Sequence, residues 1–152
     1  EMEQFFLTDL LQDVFQKFEI AVEGKHQRLV ADIAPGLPPI TADLAMMERV
    51  LMNLIDNAVR VAPEGGEITV ELQPHAQGGI EVTVRDTGPG ISAALQEHLF
   101  ERPAFTGYAA AQGARSGGFG LMIVYRILQL HESTIRLMSQ PGAGAVFRFV
   151  LR

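Results

Sequence analysis

The chain has 152 residues, 47% hydrophobic and 20% charged, with a formal net charge of −6; that is the make-up of one soluble globular domain with a real core, not of a disordered segment. An acidic surface repels backbone phosphates, so no nucleic-acid partner is expected, and any anionic ligand must be held by a few local cations and backbone N–H groups. With no cysteine there are no disulfides and no thiolate metal sites, and no apolar run approaches the ~20 residues of a bilayer span, so no direct membrane insertion of this segment is expected.

Glu1 is preceded by no Met and no basic, apolar leader, which points to a fragment of something longer. The stretch TDLLQDVFQKFEIAV has helical apolar spacing, with Thr8 as the expected N-cap. QRLVADI alternates and reads as a short strand, broken by PGLPPI. Thr41 is the expected cap of a long helix, ADLAMMERVLMNLIDNAVRVA, which Pro63 and a Glu-Gly-Gly turn end. EITVELQ and IEVTVRD have a period of 2 and flank a loop, a hairpin signature. TGPGIS is a turn, and Ser92 caps a short helix AALQEHLF. Residues 101 to 118 are rich in Gly and Ala without periodicity and read as a mobile loop. FGLMIVYRILQLH is an apolar helix, and TIRLMSQ and AVFRFVLR are strands around PGAG. This order predicts an α+β fold, a sheet with helices on one face.

On the long helix, Met47, Val50, Leu51, Leu54, Ala58 and Val61 form one apolar stripe at ~100° per residue. Asn53, Asn57 and Arg60 form a second stripe at its rim. Asparagine is a poor interior helix former because its amide competes for nearby backbone groups. The pair is either a solvated polar edge or a ligand-facing one, and spacing alone does not choose. Asp86 ends an alternating strand just before Gly88 and Gly90, which permit close approach of a ligand; the same pattern occurs in many plain turns. SGGFGLMIV places glycines before a helix N-terminus, where free N–H groups favour phosphate, although one Gly-rich loop is weak support. The histidines, His26, His75, His98 and His131, lack metal-ligand spacing. His131 reads as a partner of its helix's C-terminal dipole.

Taken in order, NLIDNA, DTGPGI and GGFGLMIV resemble the N, G1 and G2 boxes of the sensor histidine kinase ATP-binding domain, a member of the Bergerat-fold superfamily with gyrase, the heat-shock chaperone and mismatch-repair ATPases. The resemblance covers nearly the whole chain, with HLFERPAF similar to the F box. It implies a two-layer α/β sandwich with a mixed, largely antiparallel sheet and a mobile ATP lid, residues 1–152 forming a single catalytic domain of a longer sensor kinase. By the same resemblance Asn57 coordinates Mg²⁺ borne by the ATP phosphates. Asn53 stands where the hydrolysing relatives have a water-activating glutamate, and an amide cannot accept that proton. Arg60 is the cation for a phosphate oxygen. Asp86 accepts from the adenine amino group, in a pocket shaped by Gly88, Gly90 and Ile91. Gly118 and Gly120 cradle phosphates with the helix start at Phe119 and Leu121, and the loop from 101 to 117 is the lid.

The sequence departs from that family at Val61, Pro103, Phe105, Ser116, Gly117, Phe119 and Ala145, and in the HES at 131 to 133. Arg102 and Arg115 are the candidates for the lid's missing basic residue. The leading expectation is a cytoplasmic histidine kinase module that binds Mg-ATP, acts on a His of a separate dimerisation domain, and has a response regulator downstream. HEST at 131 to 134 has the wrong context to be that acceptor. The alternatives are an anti-sigma-factor-type serine kinase, disfavoured because that class keeps a glutamate at the position of Asn53, and a degenerate Bergerat module that only binds a partner.

Overall fold

The computed structural model describes residues 1–90, 119–139 and 142–152. The helix expected at 93–100 and the lid loop lie outside the described residues, as do Ile91, Arg115 and Gly118. The chain begins with β1 (Met2–Phe5), α1 (Leu7–Gln16), α2 (Glu19–Gly24) and β2 (Arg28–Ile33), followed by β3 (Ile40–Asp43) and α3 (Leu44–Val61). The hairpin strands β4 (Glu67–Pro74) and β5 (Ile80–Asp86) come next, then α4 (Phe119–Leu130), β6 (Arg136–Ser139) and β7 (Ala145–Leu151). The main sheet has the order β2-β4-β5-β7-β6, and β1 pairs with β3 in a separate two-stranded ribbon. The β2–β4 pair is parallel and the other pairs of the main sheet are antiparallel, so the sheet is mixed and largely antiparallel as expected.

Strand alternation sets the two faces of this sheet. Ile68, Val70 and Leu72 of β4, Ile80, Val82 and Val84 of β5, and Phe147, Phe149 and Leu151 of β7 are all buried. In register, Val84 stands beside Val70 and Phe147, so the apolar rows meet as one inner face. That face packs on α3 and α4, whose buried residues include Leu51, Leu54, Ile55, Val124 and Leu128. Each such fully buried side chain contributes roughly 1.5–3 kcal/mol. The opposite face is polar. Arg85 pairs with Glu71 at 3.2 Å, and Arg148 reaches Thr83 Oγ1 at 3.1 Å. No described helix is long and apolar enough to cross a membrane.

Three expectations change. The helix expected over residues 8 to 22 is two helices, α1 and α2, and Phe6 rather than Thr8 occupies the first N-cap, without a side-chain bond. The long helix is capped by Asp43, whose side chain accepts from Met46 N at 3.0 Å, not by Thr41. The ribbon strands β1 and β3 were not expected.

Candidate functional site

Asn53, Asn57 and Arg60 lie on successive turns of α3, and Asn53 faces the start of α4. Asn57 is only 6% exposed, deeper than the rim position the sequence suggests. Asn53 and Arg60 are half-buried. The stripe meets the glycine-led helix directly: a Cβ on Gly120 would sit 3.6 Å from the Asn53 carboxamide. A Cβ there would make ordinary van der Waals contact, so the start of α4 lies close against Asn53 without a glycine being required for it. Leu121, one residue on, belongs to the core, and the backbone of Phe119 opens the helix.

Arg60 uses its Nε to hold Asp56, one turn back, at 3.0 Å. Asp56 is thus the partner that orients the guanidinium. Nη1 of Arg60 and Nδ2 of Asn53 are both buried with no hydrogen-bond partner among the described residues. A buried donor left unpaired costs roughly 1–3 kcal/mol. Both atoms are donors, and what suits two donors is a group rich in acceptor oxygens, such as phosphate.

Asp86 is the last residue of β5. β5 buries Ile80, Val82 and Val84, and Asp86 is the next residue on that parity, opposite Ile68 of β4. Alternation therefore drives a carboxylate onto the apolar face, where it is 5% exposed. Gly88 N–H donates to its Oδ1 at 2.8 Å, and the Ala145 N–H gives it a second bond. Burial pushes the carboxyl above its usual range, and the two N–H groups oppose that in part.

Two glycines make this geometry available. A Cβ at Gly88 would lie 2.8 Å from the Val61 carbonyl oxygen, so only glycine lets the loop after Asp86 touch the end of α3. Gly144, at φ +80°, would drive a Cβ into the Asp86 carbonyl. Gly90 ends the described part of that loop. The role of the β6–β7 turn in holding Asp86 was not legible in the sequence, where Ala145 stood out only as a departure from the family pattern. Lys25 and Gln27 were also missed: their side chains bond carbonyls at the end of α3.

The structure therefore brings the start of α4 against Asn53 and the loop after Asp86 against the end of α3. The chain belongs to the Histidine kinase-, DNA gyrase B-, and HSP90-like ATPase family, which it matches over residues 42–152. It is 32% identical over 148 residues, 97% of its length, to the adaptive-response sensory kinase SasA of Microcystis aeruginosa, and 36% identical over 149 residues to SasA of Thermosynechococcus vestitus. The chain spans 38% of the length of each of these relatives. Among solved structures, the catalytic domain of the histidine kinase ThkA matches with a TM-score of 0.85 and 26% identity, covering 99% of this chain and 97% of that one. Full-length ShkA in complex with AMPPNP matches with a TM-score of 0.86 and 25% identity, over 99% of this chain and 31% of that one. ThkA in complex with the response regulator TrrA matches at 0.81 and 25% identity, over 99% and 41%.

Proposed function

We propose that this chain is the ATP-binding catalytic domain of a longer sensor histidine kinase, which holds Mg-ATP and presents its γ-phosphoryl group to a histidine on a separate dimerisation domain. The observation that carries the reading is the pair of buried, unpaired donors, Asn53 Nδ2 and Arg60 Nη1, on one helix stripe. Phosphate oxygens between them would recover the cost of leaving them unpaired. Asp86 offers an acceptor suited to the adenine amino group, which guanine replaces by a carbonyl. The likeness to ShkA, solved in complex with AMPPNP, supports the nucleotide reading.

The residues present fit a magnesium ion carried by the nucleotide. Among the described residues no group of three His, Cys, Asp or Glu is placed to hold a metal ion. Mg²⁺ needs only one or two protein oxygens when phosphates supply the rest, and the Asn57 amide oxygen would be that ligand. The ion would neutralise charge on the phosphate oxygens. Arg60 then orients a phosphate oxygen, with its own guanidinium steadied by Asp56. Asn53 donates but cannot act as a general base. The site is thus equipped to position ATP and not to activate water. An acceptor histidine elsewhere in the parent, a response regulator downstream and a cytoplasmic location follow from this reading, and ThkA complexed with TrrA is a precedent in a similar protein.

Calorimetry of Mg-ATP binding to the chain and to Asn57→Ala tests it. We expect the parent to bind and the variant to bind at least about tenfold more weakly, a loss of about 1.4 kcal/mol. Because Asn57 is buried, the variant's melting temperature is measured alongside. Equal affinity in a folded variant would remove Asn57 from the site, and no affinity in the parent would favour a degenerate binding module.

A further inference from the structure

The last turn of α3, which follows Asn57 and carries Arg60, is held from outside the nucleotide site. The final carbonyls of a helix have no intrahelical partner, and Pro63, following the cap residue Ala62, has no N–H to offer. Lys25 Nζ donates to Val59 O at 2.8 Å and Ala62 O at 3.1 Å, and approaches Arg60 O at 3.5 Å. Gln27 Nε2 donates to Val59 O and Ala62 O, each at 3.0 Å. Gln27 is 7% exposed, in surroundings where an ordinary strand start would place an apolar side chain. The ammonium of Lys25 also complements the negative end of the helix dipole. The two turns are stitched together by Gly65 N–H to Lys25 O and Arg28 N–H to Gly66 O, both at 2.9 Å. On the other side the Val61 carbonyl abuts Gly88. The end of α3 is therefore caught between the α2–β2 turn and the Asp86 loop.

We infer that Lys25 and Gln27 are positioning residues of the nucleotide site: through the last turn of α3 they fix where the Arg60 guanidinium stands. This rests on the nucleotide reading above. The bonds of both side chains go to backbone carbonyls at the end of α3, and the rest of α3 is anchored independently by Val50, Leu51 and Leu54 in the core. Releasing the four bonds should loosen the turn that bears Arg60 before it loosens the fold.

The test is Mg-ATP affinity, measured well below the melting temperature, for Lys25→Met, Lys25→Arg and Gln27→Leu, each alone and combined with Arg60→Ala. Lys25→Met should weaken binding about tenfold, and Lys25→Arg should restore most of it. On the Arg60→Ala background Lys25→Met should cost nothing further in affinity, while its effect on melting temperature persists. Gln27→Leu keeps the volume without the donor and reads the same cycle if Lys25→Met does not fold. Lowered melting with unchanged affinity, or losses that add fully across the cycle, overturns the positioning role and leaves a structural cap. No affinity in the parent overturns the nucleotide reading itself and this inference with it.

Discussion

Asp86 shows how far a single residue can be read from its neighbours. The run IEVTVRD alternates, and counting by two from Ile80 places Asp86 on the face that carries Val82 and Val84. Its burial was therefore implicit in the sequence. The partners that make it tolerable, the N–H groups of Gly88 and Ala145, were not, because the second comes from a turn almost sixty residues away that only the β5–β7 pairing brings near. The unpaired donors of Asn53 and Arg60 were illegible for the same reason: which atoms lack partners is a property of packing. Burial raises the Asp86 pKa in the folded state above its ordinary 3.8. Between that value and the raised one, the unfolded chain gives up its proton first. The folded state's advantage is thus full at low pH and is lost as pH rises through the folded pKa. Asp86→Asn removes that titration, so the variant should gain stability relative to the parent as pH climbs from about 4 toward neutrality, as read by urea unfolding across that range. The same variant should lose most of the preference for ATP over GTP, which in the parent we expect to be about tenfold or more, since a buried acceptor without its donor costs ~1–3 kcal/mol. A flat stability difference across that pH range would mean that burial does not strain the carboxylate. GTP competing as well as ATP in the parent would mean that Asp86 does not read the base.

At the scale of elements, most helices and strands were legible, and the break in the first helix and the two strands of the ribbon were not. α3 announces itself by an apolar stripe with a period near 3.6, and β4, β5 and β7 by strict alternation. In the first helical stretch the apolar residues step from Val14 to Phe18 to Val22, intervals of four that drift about 40° each on a continuous helix. A break at Lys17–Phe18 re-phases the chain, and all three residues are buried. β1 and β3, four residues each, are too short to carry a period, and each exists because the other is there, with Phe5 opposite Ile40. Where elements are tied end to end, single residues matter more. His131, just past α4, places Nδ1 2.9 Å from Ile127 O and receives the Asp43 N–H on Nε2 at 3.2 Å. Nδ1 carries the proton in that arrangement, and the ring joins the end of α4 to the start of α3. Being a dipole partner, as its position suggested, is thus half of its role. His131→Ala should cost about 1–2 kcal/mol and speed hydrogen exchange of the Asp43 amide. An unchanged Asp43 exchange rate would show that the tie contributes nothing in solution.

For the molecule as a whole, the order of the three motifs along the chain carried more than any one of them. The asparagine pair, the strand-end aspartate and the glycine-led helix were each ambiguous alone. The described part of the fold puts Asn53 against Gly120 and the loop after Asp86 against the end of α3, as a single cleft requires. The curated relatives are longer, the chain spanning 38% of their length, and on the proposed reading the phosphoacceptor lies in that further part of the parent. The histidines present are accounted for otherwise where they are described: His131 ties two helices, His75 accepts from the Gln77 N–H at 3.2 Å, and His26 lies exposed 3.8 Å from Glu64. On the proposed reading the domain positions ATP, offers an amide at Asn53 that cannot activate water, and takes its acceptor from elsewhere in the parent, so it should do little by itself. The chain alone, given Mg-ATP, should show hydrolysis no faster than background and no self-labelling. Adding the parent's dimerisation domain in trans should transfer label from [γ-³²P]ATP to a histidine, giving a phosphoryl bond that survives base and is lost in acid. Brisk hydrolysis by the chain alone would contradict the role given to Asn53. Label that resists acid, placed on a partner's serine, would instead identify a serine kinase on the same fold. Bound ATP with no label under any pairing would leave a nucleotide-binding module without transfer.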